Sequence, residues 1–593
     1  MRYLITTALE ESWPEKRPLL MLGEWCRRYD RRAHVSGLDT QLAPPRGMTA
    51  AEKVRDGAEV RRVVEEMLPE IGAALDAHHG GEHSVRYWRI VLGHWLIRYV
   101  SVLYNRYTAL SGVIATHEIE GTTVLDTDCY SLATADSDGF VWATDDDLWN
   151  HVLYARIVEF LAIRGRTIPI NRADWIRRSE QGFSRQALPV RSTGQLSSLA
   201  TRLAAILLPK LARERDAFLL STYLPASQRA RLELSLGQVP QLWRPGPAPG
   251  SPPNAMVRKR LPSLARSENE FELLARELWR EVIPACFVEG YRTLVTRAGE
   301  LGWPRRPRFV FTSNAFDTDE QFKVWIAGKV DEGTPYIVGQ HGNNYGTHQW
   351  WGAEFWPERM TPDRFITWGW RDSDSRNVPA FVFKIAGKKR RDAQSAGGLL
   401  LVEVAIPHRI SPHDSDAEFA IYQAEQFRFV RALPTEVCNR LTVRLHGEYR
   451  MHQWREDQRW ADQEPLISIE KGIVPIEALV NASRLVVHSY DSTGILETLA
   501  MDIPTMCFWN GGLDHLLPSA RPYYELLRGA GILHDTPEAA AVAVASCWAD
   551  VAGWWWGSPV RRAREAFCDQ YARTERTPVR TLRAVLTAVE NVQ

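Results

Sequence analysis

Cysteine is scarce and unpatterned in this sequence, with seven residues in 593 and no Cys-x-x-Cys pair. That excludes a disulfide scaffold or zinc ribbon and points to reduced thiols. No apolar run approaches the roughly 18 residues needed to span a bilayer. Residues 1–10 lack the basic start and long apolar core of a signal peptide. Net charge is absent too: 72 Lys and Arg balance 72 Asp and Glu, so electrostatics gives no argument for nucleic acid as a partner. No Gly-x-Gly-x-x-Gly follows a strand and no Gly-x-x-x-x-Gly-Lys-Ser/Thr occurs, which removes dinucleotide and P-loop readings. These absences leave a cytoplasmic globular protein.

Apolar residues at 45% and charged residues at 24% are ordinary for such a protein. The length predicts about four folding units, or two large ones carrying insertions. Residues 3–7 and 18–22 read as strands, and long helical tracts follow over about 49–76, 83–110 and 150–165. In the second tract Tyr87, Ile90, Val91, His94, Trp95 and Ile97 recur at three- and four-residue spacing, giving one broad apolar face. Residues 244–260 hold too much Pro and Gly for a helix or inner strand and read as a loop. Strand–turn–helix units open at 308–312 and 336–339, with a further strand at 364–368. After a basic stretch, the apolar run 399–406 opens a second α/β unit, with strands at 441–445, 485–489 and 505–508. The predicted fold is α/β: two Rossmann-like doubly wound domains facing across a cleft, with large helical insertions in the N-terminal half. The boundaries are 1–385 for the first domain, 386–560 for the second, and 561–593 for a helix crossing back to the first.

The segment 489–505 carries the strongest chemical signal. A strand ends at Ser489, a turn through Ser492, Thr493 and Gly494 follows, and Glu497 lies one turn into the next helix, with Pro504 seven residues on. Free backbone N–H groups and hydroxyls at a helix start suit a phosphate. His341 and Gly342, after strand 336–339, stand where parallel sheets hold catalytic groups. Arg444 and His446, two apart on a strand end, share a face and suit a phosphate clamp, with Arg409 as an added cation. Glu24, at the end of strand 18–22, is the candidate general base. Asn314 and Lys323 follow strand 308–312 as further donor-binding candidates. Asp-Ser-Asp occurs at 136–138, 372–374 and 414–416, more simply as turn chemistry than as a metal site. His408 and His413 with Asp414 find no further zinc ligand at a recognisable spacing, so no metal is expected.

Several of these segments together resemble a transferase family encoded in bacterial O-antigen and surface-polysaccharide gene clusters. They are Leu4–Thr7 with Leu22–Cys26, His83–Arg89, Thr312–Asn314 with Lys323, Gln340–Gly342 with Tyr345 and Gly346, Trp368–Trp370, and Ser483 through Pro504. More distantly the chain is similar to two-Rossmann (GT-B) glycosyltransferases, including capsule Kdo-transferases and CDP-glycerol transferases. In those enzymes a small-residue turn and Glu-x-x-Ala-x-x-x-Pro bind the donor, and Glu497, Ala500 and Pro504 stand in that register. The resemblance implies a metal-independent glycosyltransferase with no cofactor, moving a sugar from a nucleotide-sugar donor to a glycan or lipid-linked glycan acceptor. Two departures bear on a cytidine donor: Asn343 replaces a second Gly after His341-Gly342, and His446 is followed by Gly447 instead of Pro. A nucleotide-sugar epimerase and a CDP-alditol phosphotransferase share the architecture and stand as alternatives. The basic residues 384–391 are a candidate peripheral contact with the inner face of the membrane, with a solvated linker as the simpler reading.

Overall fold

The computed structural model describes residues 1–125, 131–168, 208–243, 250–350, 354–388 and 397–588, with 246 and 248. Its sixteen strands form three sheets in which every pairing is parallel. The first holds β1 (Arg2–Ile5), β2 (Leu19–Met21), β3 (Thr40–Leu42), β4 (Ile119–Leu125) and β5 (Gly165–Ile168) in the order β3-β2-β1-β4-β5. The second holds β6 (Phe218–Leu220), β7 (Val310–Thr312), β8 (Tyr336–Gly339), β9 (Arg364–Thr367) and β10 (Asn377–Pro379), in simple sequential order. The third holds β11 (Gly398–Val402), β12 (Leu441–Arg444), β13 (Ser468–Glu470), β14 (Ser483–His488), β15 (Thr505–Phe508) and β16 (Leu533–His534) in the order β13-β12-β11-β14-β15-β16.

The first and third sheets therefore both reverse direction beside their opening strand, β1 against β4 and β11 against β14. Such a switch point splays the loops at the strands' carboxyl ends and leaves a crevice there. The second sheet has no reversal. Residues 1–385 thus contain two sheets where a single Rossmann-like unit was expected. The reason is local: β6 is a three-residue strand, too short to register as periodicity, and it pairs with β7 instead of extending the first sheet.

Two long helices bind the first two sheets together. Ala50–His79 starts at a capping box, Thr49 with Glu52, and stops at Gly80 in the left-handed region. Val85–Thr116 packs on it along one side and on the helix Glu320–Asp331 of the second sheet along another. Trp88, Trp95 and Tyr99 are buried along that helix. Its apolar residues run all round, as a helix covered on several sides requires. Near the C-terminus, Ser558–Tyr571 packs on the third sheet's helices Thr493–Ala500 and Arg521–Gly529. The helix Pro578–Thr587 then returns to the second sheet and buries Leu582 and Leu586 beside Leu219, Phe311, Ile337 and Ile366. Among the described residues no helix is long and apolar enough to cross a membrane.

Candidate active site

The loops after β2 and those after β11 and β12 face each other across a narrow cleft with about 40 Å³ of free space. From the first sheet it is lined by Glu24, Trp25, Arg27, Arg28, Tyr29 and Asp145. From the third it is lined by Pro407, Arg409, Asp416, His452, Gln453, Trp454 and Arg459. Gly23 turns the chain into this wall. A Cβ there would stand 2.1 Å from the Trp25 ring, whose Nε1 donates to the Thr6 carbonyl at 2.8 Å. Only a glycine allows the indole to fold back this closely and leave Glu24 facing the opening. The Glu24 side chain is 24% exposed and lies 3.6 Å from the Arg27 guanidinium. Arg28 pairs with Asp30 at 3.2 Å and reaches Asp147 at 3.7 Å. Arg459, from the other lobe, stacks 4.2 Å above the Tyr29 ring and donates to the Trp454 carbonyl. The cleft thus offers three carboxylates, four arginines, one histidine and the aromatic faces of Trp25, Tyr29 and Trp454.

Behind this surface lies a denser charged layer. The Asp145 carboxylate accepts from His408 Nδ1 at 2.7 Å and lies 3.1 Å from His452 Nδ1. Burial opposes its charge, but those two hydrogen bonds outweigh burial and hold the carboxyl far below the usual carboxylate range. Arg409 spans the lobes: its backbone N–H donates to Asp145 Oδ1 at 2.9 Å and its guanidinium to the Asp145 carbonyl at 2.8 Å. Arg409 is therefore a clamp with partners already in place, and not the open phosphate cation expected. Asp414 and Asp416 flank it at the start of the helix Ser415–Ala432, where Asp414 caps Ala417 N–H. Burial, with Asp416 close by, raises the Asp414 carboxyl to about 7. Burial raises Asp416 to about 6, against the pull of Arg409.

Several other expected residues gather at a different place, the seam between the second and third sheets. The loop His341–Gly346 after β8 lies against the turn Ser492–Gly494 after β14. Asn343 N–H donates to Thr493 Oγ1 at 3.0 Å, and a Cβ on Gly342 would stand 3.1 Å from that same oxygen. Ser492 is 3% exposed and caps Ile495 N–H. A Cβ on Gly494 would come within 2.6 Å of the His488 ring. Glu497 pairs with Lys384 at 3.2 Å. The turn expected as an open anion cradle is therefore partly filled by the neighbouring sheet. His341 is aligned by Tyr345, whose hydroxyl lies 3.3 Å from its Nδ1 and donates to Glu358 at 2.9 Å, while Glu358 in turn meets His94 at 2.8 Å. Burial lowers the His341 pKa. His341 does not line the cleft that holds Glu24, so the two expected catalytic groups are not brought together.

Four further expected residues stand apart. Arg444 and His446 are half-buried on either side of buried Leu445 at the end of β12, and neither lines the cleft. Arg444 donates to the Leu445 carbonyl at 2.9 Å, and His446 Nδ1 accepts from Glu448 N–H. Asn314 is half-buried after β7. Lys323 is not a ligand-binding group: it is fully buried, paired with Glu320 at 2.8 Å and donating to Ser137. Of the basic stretch, Lys384 and Lys388 pair with Glu497 and Glu477, and residues 389–391 lie outside the described residues.

The sequence model of the LIC12162 family transferases matches residues 2–586. The chain belongs to that family. No curated protein matches this LIC12162 family transferase. Solved structures similar to it in part include the glycosyltransferase SnogD from Streptomyces nogalater, at 14% identity over 63% of this chain and 100% of that one, TM-score 0.35. The spinosyn rhamnosyltransferase SpnG complexed with spinosyn aglycone is 13% identical over 63% of this chain and 100% of that one, TM-score 0.30. An S. aureus MnaA–UDP co-structure is 10% identical over 51% of this chain and 82% of that one, TM-score 0.33. Sequence reasoning passed over most of this family member's cleft, Asp145, His452, Trp454 and Arg459 among them. Asp145, His452 and Trp454 sit in loops and Arg459 in the helix Glu456–Gln463, none with a motif around it, and only the fold brings them together.

Proposed function

We propose that this transferase moves a sugar from a nucleotide-activated donor to a hydroxyl of a glycan or lipid-linked glycan acceptor, in the cytoplasm at the inner face of the membrane. The observation that supports this reading is the cleft between two sheets of Rossmann strand order, lined by Glu24, by Arg27, Arg28 and Arg459, and by Trp25, Tyr29 and Trp454. In the transfer, the acceptor oxygen bonds to the anomeric carbon as the bond from that carbon to the donor phosphate breaks, and Glu24 takes the acceptor proton. Negative charge builds on the leaving phosphate, where the three guanidinium groups act with most effect in a cleft short of water. Aromatic faces suit sugar rings. The nucleotide is assigned to the third sheet's side of the cleft, where Trp454 and Arg459 stand. The transfer as proposed draws on protein groups alone.

The test is Glu24→Gln, which keeps shape and removes the base. Donor affinity by calorimetry is expected to hold while kcat falls about 10²–10⁴-fold. Wild-type turnover in that variant would remove Glu24 from the reaction. Conversion of donor in the absence of any acceptor would replace transfer by epimerisation.

A further inference from the structure

We propose that Asp145, His408 and His452 form a binding site for one divalent cation of the zinc class on the wall of the cleft, joining the first sheet's lobe to the third's. Two imidazole nitrogens and one carboxylate oxygen converge there, all within 4.8 Å of one another. Asp145 Oδ2 is 2.7 Å from His408 Nδ1 and 3.1 Å from His452 Nδ1. Ligand atoms around a tetrahedral Zn²⁺ with bonds of about 2.0–2.1 Å stand roughly 3.3 Å apart. The two Asp–His separations lie within roughly 0.6 Å of that spacing. The donor set selects a borderline cation such as Zn²⁺ or Co²⁺ over Mg²⁺ or Ca²⁺, which prefer oxygen ligands.

The surroundings hold the three groups in place in the manner of outer-shell support. Asp145 Oδ1 is fixed by the Arg409 N–H and its carbonyl by the Arg409 guanidinium. The Trp142 ring stands edge-on to His408 at 4.6 Å and packs against His452 at 6.0 Å. Three protein ligands leave a coordination position free, and Asp145 and His452 both line the open cleft, so water or a ligand oxygen has access to it.

A second triad, His348, Asp491 and His515, supplies the contrast. Asp491 Oδ2 lies 3.0 Å from each Nε2, while Oδ1 accepts from Asn343 at 2.7 Å and from Tyr524 at 3.1 Å. That carboxylate is satisfied by four donors inside the seam, and none of the three residues lines the cleft. The same residue types are there a closed hydrogen-bonded knot.

The experiment titrates chelator-stripped, full-length protein with ZnCl₂ by calorimetry and with CoCl₂ by visible absorption, without donor or acceptor, so that its outcome is independent of the transfer reading. One equivalent is expected to bind the wild type. Asp145→Asn and His452→Gln keep hydrogen-bonding capacity and are expected to weaken binding at least about 100-fold. His348→Gln is expected to leave it unchanged. Thermal melts of the stripped variants verify folding, and two ligand variants guard against the failure of one. Absence of saturable binding, full affinity in both ligand variants, or loss in His348→Gln instead would each overturn the proposal.

Discussion

The cleft and the seam are made of the same parts, loops at the carboxyl ends of parallel strands from two sheets, each with a His–Asp–His triad at its centre. They differ in what faces what. At the seam the two sheets' loops bond directly: Asn343 N–H donates to Thr493 Oγ1 and its side-chain amide to Asp491, and Gly342 abuts Thr493. At the cleft the two walls present arginines and aromatic rings to open space, joined behind it by Arg409 and the histidines on Asp145 and at the rim by Arg32 with Asp462 and Arg455 with Asp30. A buried, satisfied network gives rigidity, whereas a charged surface with room in front of it is able to take a ligand. A strand-end position does not distinguish these uses; the neighbour does.

Four substitutions would break or sharpen that comparison. Asp491→Ala leaves two buried histidines without their acceptor and is expected to cost about 3–5 kcal/mol of stability in denaturant unfolding, with donor affinity kept. Loss of donor binding at unchanged stability would make the seam a binding surface instead. Asp414→Asn retains the helix cap and probes the layer behind the cleft. The folded-state pKa of Asp414, about 7, stands above the ordinary aspartate value of about 3.9. The wild type therefore loses stability as pH rises from about 4 to about 7, on the order of 3–4 kcal/mol from this group. The variant is expected to match wild type near pH 4 and to melt higher above pH 7; parallel curves would contradict this. Arg459→Ala removes a cleft cation and is expected to weaken donor binding by about 1.5–3 kcal/mol with little change in melting temperature. Ser492→Ala is expected to cost about 1 kcal/mol of stability as a lost cap, and a larger loss in nucleotide affinity would restore the turn as an anion site.

The third sheet was readable because these strands are apolar, separated by helices, and ended by recognisable turns: β11, β12, β14 and β15 all overlap the runs that periodicity marks. β6 escaped because three residues carry no period. Lys323 was misplaced because a charged residue in a helix is normally solvated, whereas this one shares its buried face with Glu320, one turn away, and the pair neutralises itself. The cleft was half legible. Glu24 and Arg409 follow strands, the places where chemistry is sought, but Asp145 and His408 lie 263 residues apart and no spacing rule connects them.

The return of Pro578–Thr587 to the second sheet has a consequence for biogenesis. Leu219, Phe311, Ile337 and Ile366 leave the ribosome long before the helix that covers them, so that face stays uncapped through synthesis of the whole third sheet. Truncation ahead of Pro578 would leave this face permanently uncovered and sticky, and the first symptom of such a deletion would be aggregation of the nascent product rather than slower chemistry.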